Sequence, residues 1–205
     1  MIIPKIKEHI HLDAEKEKCL KAIMSEEEIH NAMQMLKIHS LITYEHSINV
    51  ARRYMQIVDI KEEHKMITED VVRAALLLDI GYLTITKEII EKKDNLTQEE
   101  YQTIKKHVIY GETIAKDMGM SDFVCSLIKT HHERKDGSGY LKLSEDEVDI
   151  NAFLLGAIDV YEAMIEKRPY RKGMSEQYVV EQISRNTNEE FPSYVIGLLL
   201  TGIKS

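Results

Sequence analysis

A chain of 205 residues, 43% hydrophobic and 30% charged, is long enough to bury one domain's core and too apolar to stay disordered. Its net charge of −8 excludes a general DNA-binding surface, because phosphate backbones are held through broad positive patches, whereas a small anion needs only a few local cations. Two widely spaced cysteines, Cys19 and Cys125, do not make a secreted disulfide framework and point to a reducing cytoplasm, and neither the polar first residues nor the short apolar run 194–200 suits a signal peptide or a membrane span.

Only three prolines interrupt the chain and no stretch alternates in the manner of a strand, so the fold class is all-α. Helices are predicted over 13–24 and 26–40, within a helical lead-in of residues 1–40 to a compact domain over 41–205. Ser25 to Glu28 gives the second helix a start signal, a capping residue with a carboxylate three positions on. The helix 44–58 sets His46 on one face with Val50 and Ile57. In 69–80 the stripe Val72, Ala75, Leu76 continues at helical spacing to Asp79, so a carboxylate faces the core. One long helix over 97–118 opens on the capping box Thr97-Gln98-Glu99-Glu100 and carries His107 in register with Ile104, Val108 and Gly111. The next, 121–132, extends Val124, Leu127 and Ile128 to His131 and His132. Asp136-Gly137-Ser138-Gly139 is a turn in which both glycines are free to adopt positive φ. Helix 147–166 repeats the anomaly of 69–80, with Ala152, Leu155 and Gly156 leading to Asp159 and then Ala163. Helices over 175–187, begun by Ser175, and 191–203 complete the chain.

Two carboxylates and four histidines therefore point at the core. A buried carboxylate must neutralise itself, pair, or meet a cation. Taken singly, each of the six is more often a hydrogen-bonded core histidine or a member of a buried ion pair; as a set, neutral imidazoles and carboxylates are the usual donors to iron, manganese or zinc. His9, His11, His30, His39 and His64 share no such pattern and read as surface or partly buried residues.

The ordered series His46, Asp79-Ile80-Gly81, His107, His131-His132-Glu133, Asp136-Gly137-Ser138-Gly139-Tyr140 and Asp159 resembles the HD-GYP signature from about residue 40 to the C-terminus. Lys105-Lys106-His107 with Gly111, and Asp159-Val160-Tyr161-Glu162-Ala163 followed by Arg168-Pro169-Tyr170-Arg171, are similar to that family as well. The resemblance implies a multi-helix core around a two-metal centre, usually iron or manganese, that hydrolyses cyclic di-GMP to the linear dinucleotide or to GMP. Residue by residue, it implies that His46, Asp79 and Asp159 hold the first metal, together with a histidine at the position of Leu78. His107, His131 and His132 would hold the second, with Asp79 bridging the pair as the candidate catalytic residue. Tyr140 would stack on a guanine, and Arg168 and Arg171 would neutralise phosphates.

Four positions depart from the family pattern. Leu78 cannot ligate; Ile42 stands where three-metal members carry a glutamate; Tyr82 replaces a phosphate-contacting lysine and keeps one hydrogen-bond donor; Leu141 replaces the proline of the GYP motif. Glu133 is read either as an orienter of a histidine or as a surface ion-pair partner. The expected function is a metal-dependent phosphohydrolase domain of the cyclic di-GMP type with weakened or lost hydrolysis. The alternative is a non-catalytic module of bacterial signalling that binds a cyclic dinucleotide or scaffolds a protein partner. A purely structural protein would use its last helix, which, with the lead-in, is also where a homodimer would form.

Overall fold

The computed structural model describes residues 10–59, 64–92, 94–166, 173–186 and 190–203, and among these every regular element is a helix. The first, α1 (Ala14–Ile23), starts where the Asp13 side chain accepts the Lys16 amide. The second, α2 (Glu27–His39), has no side-chain cap: Ser25, the expected starter, instead donates its hydroxyl to the Lys21 carbonyl at the end of α1. Ser40 both ends α2 and caps α3 (Leu41–Ile57), accepting the Thr43 amide, so α3 begins ahead of the predicted residue 44.

Helix α4 (Lys65–Leu77) is shifted toward the N-terminus of its predicted span. Leu78 is its cap, and Asp79, at φ −103° and ψ 15°, stands outside it at the head of a 3-10 turn over Ile80–Thr84. A short α5 (Lys87–Ile90) follows, which no apolar period announces. The predicted helix 97–118 is two helices, α6 (Gln98–Lys105) and α7 (His107–Asp117). They part at Lys106, whose amide bonds the Thr103 carbonyl while its own carbonyl accepts from Ile109, a tightened turn that puts His107 at the start of α7. The Thr97 capping box forms as read from the sequence.

Ser121 caps α8 (Asp122–Thr130), which stops just short of the paired histidines; Asp149 caps α9 (Ile150–Ile165). The chain continues with α10 (Glu176–Asn186), whose Tyr178 amide meets the Ser175 hydroxyl, and α11 (Ser193–Ile203).

The centre of the core lies between α3, α4, α8 and α9, where Ile48, Val72, Leu76, Leu127, Ile128 and Leu155 are wholly buried. Each such side chain stabilises the fold by about 1.5–3 kcal/mol. Leu20, Ile29 and Leu36 of α1 and α2 belong to the same cluster, as do Val195 and Leu199 of α11, which leaves Tyr194 exposed. Two glycines draw backbones together inside this frame. A Cβ at Gly81 would collide with the His107 carbonyl oxygen, and one at Gly156 with that of His131. The Asp79 turn is thereby pressed onto the start of α7, and α9 onto the end of α8.

Candidate metal centre

The frame brings the six sequence-predicted donors together from α3, the end of α4, the start of α7, the end of α8 and α9. His107 sits in the first turn of α7, where its Nδ1–H donates to the Ile104 carbonyl at 2.8 Å. His131, the cap of α8, donates Nδ1–H to the Ile128 carbonyl at 2.8 Å in the same manner. With Nδ1 so anchored, both rings turn Nε2 inward, and these two atoms lie 3.5 Å apart. His132 completes a group in which one donor atom from each of the three histidines lies within 4.8 Å of the others. Burial, and then the neighbouring His107, push the His131 imidazolium down to about 3; burial, and then His131, hold His132 well below its ordinary value. Both rings are therefore neutral near pH 7. Neutral imidazole nitrogens converging in a buried pocket fit a divalent cation, which supplies the charge that neither ring carries.

Asp79 approaches this group, its Oδ1 standing 3.4 Å from His107 Nε2. On the far side, His46 donates Nε2–H to Asp159 Oδ1 at 2.7 Å and Nδ1–H to Glu166 Oε2 at 2.9 Å. Burial alone would lower the His46 imidazolium, but these hydrogen bonds and the two negative charges outweigh it and raise it to about 10. Burial likewise opposes the Asp159 charge, yet the His46 hydrogen bond and charge hold that carboxyl well below the usual range. Asp159 Oδ2 lies 4.0 Å from His132 Nδ1, so the two halves adjoin through this carboxylate. One half presents converging neutral nitrogens, and the other is an internal ion pair.

Aromatic rings flank the histidines. Tyr82 lies 4.5 Å from the His107 ring, and Tyr140 stacks on His132 at 4.3 Å and 28°, with Lys105 Nζ 4.9 Å from the Tyr140 ring centre. Burial pushes the Tyr140 phenol up and keeps it protonated. A cleft of about 610 Å³ opens over His46, Asp79, Tyr82, His132 and Asp159, a size suited to a small-molecule ligand. Ile42, Ile89, Ile90, Leu96 and Ile104 add apolar walls, and Lys92 also lines it but is tied to Glu100 at 2.6 Å. The stretch from Ile89 to Leu96 has no periodic signal, and the sequence reading missed it. Arg168 and Arg171 lie outside the described residues.

The loop after His132 departs from both expectations for Glu133. That carboxylate is fully buried and accepts the amides of Leu141 and Leu143 at 2.8 and 2.9 Å, so it clasps the loop. Leu141 can donate there, whereas a proline could not. Gly137 has the expected positive φ of 74°. Gly139 does not take one; it is needed because a side chain there would run into Glu133. Leu78 is a wholly buried core leucine. The sequence reading also missed Glu166, together with a buried pair between Arg53 Nε and Glu162 Oε1 at 2.7 Å. The members of these contacts are separated by about a hundred residues or more, and no local pattern links them.

A family model described as an HD domain matches residues 25–192. The cyclic di-GMP phosphodiesterase PdeB of Borreliella burgdorferi is 31% identical over 161 residues, 78% of this chain and 42% of that protein. A cyclic di-GMP phosphodiesterase of Thermotoga maritima is 30% identical over 148 residues, 70% of this chain and 40% of that protein. A 3'3'-cGAMP-specific phosphodiesterase of Vibrio cholerae is 32% identical over 103 residues, 50% of this chain and 22% of that protein. The chain thus spans less than half the length of these relatives. Among solved structures, Bd1817, described as a HDG"Y"P protein from Bdellovibrio bacteriovorus, shares the fold with a TM-score of 0.66 at 18% identity, covering 93% of this chain and 62% of that one. No described helix is long and apolar enough to cross a membrane.

Proposed function

The chain belongs to the HD domain family, and on that premise we propose that it is a metal-dependent phosphohydrolase domain for a cyclic dinucleotide such as cyclic di-GMP, with hydrolysis weakened by its missing ligand. The observation that carries the reading is the anchoring of His107 and His131 through Nδ1, which leaves their Nε2 atoms facing each other at 3.5 Å beside Asp79. In this reading His107, His131 and His132 would hold one divalent ion and His46 and Asp159 a second, with Asp79 a further carboxylate donor beside His107; iron or manganese suits such mixed imidazole and carboxylate donors. When bound, such a pair of ions lowers the pKa of a water and neutralises charge on the phosphoryl group. In this reading Tyr140 and Tyr82, which flank the histidines, are the substrate-facing rings, and the phosphate-binding role falls by resemblance to Arg168 and Arg171. The free thiols Cys19 and Cys125 accord with the cytoplasmic setting the proposal assumes.

The test is turnover of cyclic di-GMP by protein purified without oxygen and reconstituted with ferrous iron or manganese, the products separated by chromatography. Linear dinucleotide or GMP is expected, at a rate that falls by at least about 100-fold in Asp79→Ala. Absence of product despite bound metal would refute the hydrolase reading.

A second reading, binding without turnover, is favoured by Leu78 lying wholly in the apolar core and by the pairing of Lys92. It predicts equilibrium binding of cyclic di-GMP that persists intact over long incubation and weakens in Arg168→Ala or Tyr140→Ala.

A further inference from the structure

Glu166 caps the end of α9, and its side chain turns inward with 6% exposure. One carboxylate oxygen accepts from His46 Nδ1 at 2.9 Å, and the other accepts from Asn49 Nδ2 at 2.8 Å. His46 and Asn49 lie three residues apart on α3, so a single face of that helix grips both oxygens. A buried carboxylate held in this way has one orientation, and so does the imidazole that donates to it. The opposite nitrogen of the ring, Nε2, is directed at Asp159, 2.7 Å away.

We propose that Glu166 is the positioning residue for His46, holding its Nδ1–H and turning Nε2, which would give up its proton on ligation, toward the metal centre. The inference rests on the reading of His46 as a metal ligand. A carboxylate behind a ligating histidine sets the ring's orientation and strengthens the donor at its far nitrogen, and losing such a partner typically costs ~10–100-fold in metal affinity. Here the carboxylate serves the half of the centre in which Leu78 stands at an expected ligand position. His107 and His131 are oriented differently, by the backbone carbonyls of Ile104 and Ile128. A change at Glu166 should therefore reach one half of the centre and spare the other.

Manganese binding to the full chain, measured by equilibrium dialysis with metal analysis, tests this with Glu166→Gln, His46→Ala and His131→Ala. His131→Ala identifies the sites that depend on the three-histidine group. Glu166→Gln is expected to weaken the remaining site ~10–100-fold while leaving the three-histidine site at wild-type affinity. His46→Ala should abolish that remaining site. If His46→Ala abolishes it but Glu166→Gln binds as the wild type does, Glu166 does not position the ring and the inference is overturned. If His46→Ala binds manganese as the wild type does, the ligand reading itself fails and takes the inference with it. A second measurement needs no metal: the imidazole proton and nitrogen resonances of His46 in the metal-free chain should show Nδ1–H in a strong hydrogen bond that is altered in Glu166→Gln. An unchanged resonance would also overturn the proposal.

Discussion

Leu78 and Asp79 are adjacent, yet one is wholly buried among aliphatic side chains and the other stands 3.4 Å from His107. The chain leaves α4 between them, which is why neighbouring positions serve such different environments. Placing a histidine at 78 would put a polar ring at a wholly buried position, at a cost of about 1–3 kcal/mol if it finds no partner. The family resemblance makes that ring a ligand. Leu78→His is therefore expected to unfold at lower urea concentration when metal-free, and to bind manganese more tightly than the wild type at the half that contains His46. Metal affinity equal to that of the wild type would mean that position 78 lies outside the coordination sphere. The same contrast marks what the sequence could disclose about individual residues. Core-facing aspartates and histidines stand out against apolar stripes, and Asp79, His107, His131, His132, His46 and Asp159 were all legible on that ground. Glu166 was not, because it ends a helix and acquires its partner only when α3 and α9 pack together.

At the scale of elements, helix periodicity carried most of the fold, since apolar stripes at 3.6-residue spacing must find one another to be buried. Its limits show where a helix changes course without glycine or proline. Lys106 divides α6 from α7 by a local tightening of hydrogen bonds, and α4 ends at Leu77 inside an unbroken apolar run. Neither has a compositional mark. The close approach at Gly81 is likewise invisible until α7 is in place, although it determines how near the Asp79 turn can come to His107. A methyl group there meets backbone, which cannot rotate aside. Gly81→Ala is expected to destabilise the protein by about 1–3 kcal/mol through overpacking and to lower manganese affinity by widening the gap between Asp79 and His107. Chemical denaturation and metal titration check the two effects separately, and wild-type values in both would show that the contact yields at no cost.

For the whole molecule, the proposed metal centre draws its donors from several helices, so a bound cation would link metal occupancy to global stability. A ligand that binds only the folded state at 100 times its dissociation constant adds about 2.7 kcal/mol, which for a chain of this size corresponds to a rise in Tm of roughly 5–10 °C. Calorimetry with and without a chelator should show that shift in the wild type and lose most of it in His131→Ala. No shift in the wild type would argue against a preformed site. The two glycine contacts carry a further consequence. Gly81 and Gly156 bring their segments against the carbonyls of His107 and His131 through main chain alone, so the spacing of the centre does not depend on which side chains fill it. Such a scaffold tolerates substitution: a wholly buried leucine can stand at position 78, beside Asp79, while the main chain alone keeps the donor-bearing segments together.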